Sequence, residues 1–220
     1  MKSFCEEWEV IHATQDWGKY PPEAVIRFVA RNYYGKDRAK TRFLDFGCGG
    51  GAVTWYLARE GFDVYAFDGS RSAIIKAEKY LKDEGFNNVK FEVADALQIG
   101  YEPSFFDCVI DNVCVYANKM DDIRLMYDKI YSILNEGGKL FTSCFGTGTD
   151  GYNTGVYIEE GTYENIEKGN LAGRGRAHFY EIDELKEVLK AAGFKNVIVD
   201  ILTYTDNGVT VEIFNAQAEK

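Results

Sequence analysis

Two histidines stand among the 220 residues, no two cysteines have the Cys-x-x-Cys spacing, no stretch is strongly basic, and no apolar run could span a membrane. Each scarcity excludes something. Lys+Arg number 25 against Asp+Glu 35, a formal charge of -10, and no basic stripe offsets it. A nucleic-acid phosphate backbone is therefore not an expected partner. An acidic small molecule can still be met by a locally basic pocket. The five cysteines, Cys5, Cys48, Cys108, Cys114 and Cys144, are odd in number, and three of them lie in apolar runs that read as strands. Reduced, mostly buried thiols in a cytoplasmic protein, with no metal site, fit this usage. No signal-like apolar segment opens the sequence, so cytoplasmic localisation and no membrane partner are expected. There is no internal repeat and no low-complexity segment.

What is present is an alternation of short apolar runs with amphipathic ones. The first twenty residues are aromatic (Phe4, Trp8, Trp17, Tyr20) without a clear period, and Pro21-Pro22-Glu23 then opens a helix. From Thr41 the spacing predicts strands over 42–46, 63–67, 89–93, 106–113 and 139–145. Helices are predicted from about Gly51 to Gly61, over 72–84, and over 121–134 with a stop at Gly137-Gly138. Residues 146–176 break the rhythm and carry no clear period. A helix over 183–192 follows, then strands over 197–205 and 209–216 joined by Asp206-Asn207-Gly208, a strong hairpin signal. The expected architecture is α/β: a Rossmann-like, doubly wound, mostly parallel sheet of seven strands ending in an antiparallel hairpin. Residues 1–40 are expected to form an N-terminal lid and helix. Residues 41–220 then form the main domain, with an insertion at 146–180 contributing to a lid over the substrate.

The chemistry centres on Asp45-Phe46-Gly47-Cys48-Gly49-Gly50-Gly51. A strand that ends in glycines and opens a helix lets backbone approach a ligand and aims the helix's free N–H groups at it. Gly47-x-Gly49-x-x-Ala52 fits the dinucleotide fingerprint, with Asp68 about twenty residues on, where an acid can hold a ribose. An adenine dinucleotide and another adenosine-containing ligand both remain open on this motif alone. Three features favour the second. Asp45 two residues before the first glycine suits a ligand with a cationic amino-acid end better than a pyrophosphate. The glycine run is denser than helix packing needs, and the fingerprint does not imply a C-terminal hairpin.

Leu44 to Gly51 resembles the first motif of class I S-adenosylmethionine-dependent methyltransferases. The likeness extends through Leu57–Val64, Phe67-Asp68-Gly69-Ser70, Ala94-Asp95-Ala96, Phe106–Asp111, Leu134–Gly138 and Ala191–Phe194. The resemblance implies S-adenosylmethionine as cofactor and S-adenosylhomocysteine as product. It implies that Gly47, Cys48 and Gly49 line the methionine end, with Asp45 acting through water or a hydrogen bond. Asp68, with Gly69 and Ser70 after it, would take the ribose hydroxyls. Asp95 would take the adenine amino group and the Ala96 N–H a ring nitrogen. Asp111 and Asn112 would reach the methionine or the reaction centre, and Tyr20 would border the cofactor. Other roles fit some of these residues too: Asp68 and Ser70, or Asp95, can cap a following helix, and Asn112 can be a structural amide.

Methyl transfer from a sulfonium is an in-line displacement that needs alignment and exclusion of water. An oxygen acceptor also needs a base, which a neutral amine does not. His178, at the end of the irregular insertion, is the candidate for that base; His12 is the lesser one. Relatives that carry a histidine after the fourth strand have it where this sequence reads Val115-Tyr116-Ala117. Trp17 and Tyr116 are expected to touch an acceptor, and Arg174 and Arg176 to anchor an acidic one. The expected function is methyl transfer to an oxygen or nitrogen of a small molecule. An NAD-dependent oxidoreductase and a non-catalytic S-adenosylmethionine-binding partner subunit are the alternatives, and a homodimer stays open.

Overall fold

The computed structural model describes residues 3–220. Its central sheet is built from β1 (Arg42–Phe46), β2 (Asp63–Asp68), β3 (Lys90–Val93), β4 (Phe106–Asn112) and β5 (Leu134–Gly146). The hairpin β9 (Lys195–Asp206) and β10 (Val209–Glu219) completes it. The strands run in the order β3-β2-β1-β4-β5-β10-β9, parallel through the first five, with β10 antiparallel to β5 and β9. The chain leaves β1 toward β2 on one side and returns as β4 on the other. That reversal opens a crevice at the carboxyl ends of β1 and β4, where open α/β sheets take ligands.

Strand alternation divides the core in two. From β1, Phe43 packs with α2 (Glu23–Tyr33) and α3 (Ala52–Arg59) through Val25, Val29, Val53 and Leu57. Leu44 and Phe46 face the opposite layer, built on α5 (Met120–Ile133) and α6 (Ile182–Ala191) through Ile123, Tyr127, Leu185 and Leu189. Residues two apart share a face, so Asp45 falls on the Phe43 side, within reach of α3. Helix α4 (Arg71–Asp83) follows β2 and is capped by Ser70, whose Oγ accepts the Ala73 N–H at 3.0 Å.

The structure departs from the sequence reading in four places. The N-terminal segment, expected without periodic structure, forms helix α1 (Glu6–Thr14), with acids Glu6, Glu7 and Glu9 in its first turn where the dipole favours them. Glu9 anchors it, accepting from Ser70 Oγ at 2.6 Å and Ser72 Oγ at 2.5 Å. Helix α5 keeps its expected span to within a residue, but β5 begins at Leu134 and not at Lys139, because strand pairing resumes there opposite Phe106. The insertion is not irregular throughout: β6 (Val156–Glu159) and β7 (Thr162–Glu164) form an antiparallel pair, and β7 pairs with β8 (Ala177–Tyr180). Among the described residues the strands thus number ten, not the expected seven. Strand β8 joins β5 at Phe145 and Gly146. Since β10 occupies the other edge of β5 there, β8 lies in the lane of β4, just beyond its carboxyl end. The hairpin turn is as expected: Asn207 and Gly208, both at positive φ, join Asp206 directly to Val209.

Candidate active site

A cavity of about 380 Å³ opens where β1, β2 and β4 end. Its floor is the turn after β1: Gly47, Cys48, Gly49 and Gly50, with Asp45 beneath. A Cβ at Gly47 would stand 2.6 Å from Cys114 Cβ and closer still to its Sγ, so the loop after β4 rests directly on this turn. Asp45 is 2 % exposed and accepts from Thr54 Oγ1 of α3 at 2.5 Å. Burial pushes its carboxyl up to about 7 against that hydrogen bond.

Asp68 ends β2 and borders the cavity with Gly69. One of its oxygens accepts the Ser70 N–H at 2.8 Å, the other the Gly49 N–H at 2.9 Å. It therefore ties the glycine turn to the loop after β2. Burial raises its pKa, opposed by these two amides and by the neighbouring His12. Ala96, Asn112, Tyr20, Trp17, Tyr116 and Arg174 also border the cavity. The Arg174 guanidinium lies over the Trp17 ring at 4.8 Å. Burial raises the Tyr116 phenol, while Arg174 pulls the other way.

Five expected residues lie elsewhere. Ser70 is fully buried as the α4 cap. Asp111 is fully buried and accepts from the Cys114 and Val115 N–H groups and from Thr142 Oγ1 at 2.6 Å, so it shapes the loop after β4 instead of meeting a ligand. Asp95 does not border the cavity and is covered by the N-terminal segment. Arg176 gives both Nε and Nη2 to Glu164 Oε1, at 2.8 and 2.6 Å, which fixes it to β7. His178 is corrected as the candidate base. It is fully buried on β8, with Nδ1 2.7 Å from Thr162 Oγ1 and Nε2 facing Glu184 Oε2 at 3.3 Å, outside the cavity.

Of the two histidines, the one that sequence reasoning ranked lower, His12, is the one at the cavity, and that reasoning missed most of the roof. His12 borders the cavity, 3.4 Å from where a Gly49 Cβ would be, and its buried Nδ1 has no hydrogen-bond partner. Burial lowers its pKa, with Asp68 opposing the shift. Phe4, Cys5 and Trp8 border the same space, and Trp8, His12 and Trp17 lie with ring centroids 6.0–6.2 Å apart. The only sequence signal for this was the aromatic density of the first twenty residues. Among the described residues no cluster of three or more His, Cys, Asp or Glu could hold a metal, and no helix is long and apolar enough to cross a membrane.

The buried acids give a pH prediction. Asp45 is raised to about 7 and Asp111 to about 6, each mainly by burial, from an ordinary 3.8. A raised carboxyl stabilises the fold fully below its unfolded pKa, and that contribution is lost as pH rises through the folded value. The ligand-free protein should therefore lose thermal stability between about pH 4 and 7. Asp45→Asn should flatten that decline in a melting series from pH 4.5 to 8. Parallel curves for the two proteins would remove Asp45 as a source.

Strand order, cavity and hairpin define the class I methyltransferase fold, a Rossmann-like sheet closed by an antiparallel pair. By sequence the chain belongs to the methyltransferase family, whose "Methyltransferase domain" model matches residues 37–193. Phosphoethanolamine N-methyltransferase 2 of Caenorhabditis elegans is 26% identical over 172 residues, covering 77% of this chain and 36% of that protein. The chain thus aligns with about a third of that relative's length. The ubiquinone biosynthesis O-methyltransferase of Coxiella burnetii (strain Dugway 5J108-111) is 25% identical over 189 residues, covering 82% of this chain and 77% of the relative. In structure, a SAM-dependent methyltransferase of Methanosarcina mazei superposes with TM-score 0.71 at 24% identity, covering 87% of this chain and 96% of that one. Haemonchus contortus phosphoethanolamine N-methyltransferase 2, in complex with phosphomonomethylethanolamine and S-adenosylhomocysteine, has TM-score 0.71 at 19% identity, covering 97% and 56%.

Proposed function

We propose that this protein is an S-adenosylmethionine-dependent methyltransferase that methylates an oxygen or nitrogen atom of a small molecule. The observation that carries this reading is Asp68. It stands at the carboxyl end of β2 beside the glycine turn, each oxygen holding one backbone amide and keeping acceptor capacity toward the cavity. Two vicinal hydroxyls match that remaining capacity. The turn at Gly47–Gly49 leaves room for a methionine chain beside buried Asp45, whose acid suits an ammonium group. When bound, S-adenosylmethionine supplies an electrophilic methyl group.

The residues around it bind, orient and exclude water. Trp8, Trp17 and Tyr116 give the acceptor end an apolar wall. An amine acceptor needs no base. For an oxygen acceptor, His12 is the imidazole that borders the space, and burial lowers its pKa. The C. elegans and C. burnetii relatives are named for an N- and an O-methyltransferase respectively, so both chemistries stay within the proposal. We also read residues 1–40 as a lid followed by the core-packed helix α2, with residues 146–180 forming part of the same lid, since α1 and Arg174 border the cavity from those two stretches. Calorimetric titration with S-adenosylhomocysteine and with NAD tests the cofactor. Binding of the first alone is expected, and binding of NAD alone would sink the proposal.

Among the described residues, Arg174 is the Lys or Arg side chain that borders the cavity, while Arg176 is taken by Glu164. Arg174→Ala is expected to raise KM for an anionic acceptor roughly ten- to a hundredfold, the worth of one charge-assisted contact. Affinity for S-adenosylhomocysteine should be unchanged. An unchanged KM for every anionic acceptor that turns over would show that Arg174 does not anchor it.

A further inference from the structure

Asp95 follows β3 and is the residue expected to meet an adenine amino group, yet its carboxylate is already saturated. One oxygen accepts the Ser3 hydroxyl at 2.8 Å and the Leu97 N–H at 2.9 Å. The other accepts the Ser3 N–H at 2.7 Å and the Phe4 N–H at 2.9 Å. A carboxylate offers about four acceptor sites, so nothing remains for a ligand. The contrast with Asp68, which holds two partners, is plain.

The ring of Phe4 completes the arrangement. A Cβ at Gly69 would lie 2.6 Å from Phe4 Cγ and 2.8 Å from Cε2, so the ring rests on the bare backbone of Gly69. Phe4, Gly69 and Ala96 border the same end of the cavity. A purine presents a flat ring and an amine donor; Ser3 and Phe4 give Asp95 N–H donors and lay a flat ring on Gly69. We propose that Ser3 and Phe4 are an internal occupant of the adenine end of the cavity, and that the cofactor binds by displacing them. This rests on the reading in which Asp95 takes the adenine amino group.

The rest of the N-terminal segment need not move. Helix α1 is held on α4 by Glu9 through Ser70 and Ser72, and by the Lys76 Nζ contact to the Gln15 carbonyl at 2.7 Å. Cys5, the residue before the helix, is extended (φ -91, ψ 122) and forms the joint. Residues 3 and 4 can swing on that joint while the aromatic roof stays in place. The cofactor's apparent affinity is then its intrinsic affinity reduced by the fraction of molecules with the segment released.

The test is a Ser3→Pro/Phe4→Ala variant. Proline removes both the N–H and the hydroxyl of position 3, and alanine removes the ring. Calorimetry would compare wild type and variant for S-adenosylhomocysteine and for S-inosylhomocysteine, in which an oxo group replaces the amine. The variant is expected to bind S-adenosylhomocysteine at least about tenfold more tightly than wild type, and to prefer it over the inosyl analogue. In wild type, hydrogen exchange at the Phe4 amide should accelerate when S-adenosylhomocysteine is added. A variant that binds both analogues alike overturns the Asp95 assignment. A variant that discriminates between them but binds S-adenosylhomocysteine no tighter than wild type overturns the internal occupant.

Discussion

Asp68→Ala is expected to weaken S-adenosylhomocysteine binding by at least about a hundredfold, roughly 3 kcal/mol, with the fold intact. Two losses combine. The first is direct: the carboxylate's remaining acceptor positions, which suit two vicinal hydroxyls, disappear. The second is internal. Asp68 holds the Gly49 N–H at 2.9 Å and the Ser70 N–H at 2.8 Å, so its removal frees the glycine turn from the loop after β2. Charge-assisted hydrogen bonds are each worth about 1.5–3 kcal/mol, and either loss alone could approach the total. Asp68→Asn helps separate them, since an amide keeps one oxygen for a backbone donor but turns its other acceptor into a donor. It should recover part of the melting temperature lost by the alanine variant and little of the affinity. Affinity within threefold of wild type for Asp68→Ala, in a protein that melts normally, would contradict the ribose assignment.

Gly47→Ala should be the most damaging single-methyl change in the site. The backbone there has φ +73, which costs an alanine roughly 1–2 kcal/mol. The new methyl would also press on Cys114, 2.6 Å from its Cβ. Cys114 cannot yield easily: its N–H is bonded to buried Asp111 at 2.9 Å, and Asp111 is tied to Thr142 of β5. Overpacking of this kind costs roughly 1–3 kcal/mol. The sum, roughly 2–5 kcal/mol, corresponds to a melting shift of about 5–20 °C for a chain of this size. Adding Cys114→Gly to Gly47→Ala removes the colliding atoms but not the backbone strain, so it should restore only part of the shift. A Gly47→Ala protein that melts like wild type would mean the loop after β4 does not bear on the turn as described.

The strands and most helices were legible because their signals are local. The run Arg42–Phe46 alternates between two apolar layers and ends in glycine, and β1 has those bounds. Asn207-Gly208 specifies a two-residue turn whatever surrounds it. The misreadings have one physical cause: they depend on partners distant in sequence. Helix α1 has little periodic apolar character of its own; Glu9 fastens it to Ser70 and Ser72, which no local window contains. The insertion looked irregular because β6 and β7 are short and owe their strand form to pairing with each other and with β8. His178 and Arg176 were attractive as polar residues in that insertion, yet Thr162 and Glu164 on β7 claim both. Asp111 shows the reverse case. Its position near the end of β4 matched a family motif, but three hydrogen-bond donors enclose it.

The lane shared by β4 and β8 has a consequence for how such a protein can change over generations. The β6–β8 sheet meets the main sheet through two residue pairs, Phe145 with Phe179 and Gly146 with Tyr180. A residue inserted or deleted between Thr147 and Arg176 therefore disturbs no rung of the parallel strands that carry Gly47 and Asp68. Arg174 lies at the far end of that stretch, over Trp17. In the function proposed above, acceptor preference would then be open to change there by length as well as by substitution, while the Gly47 turn and Asp68 keep their places.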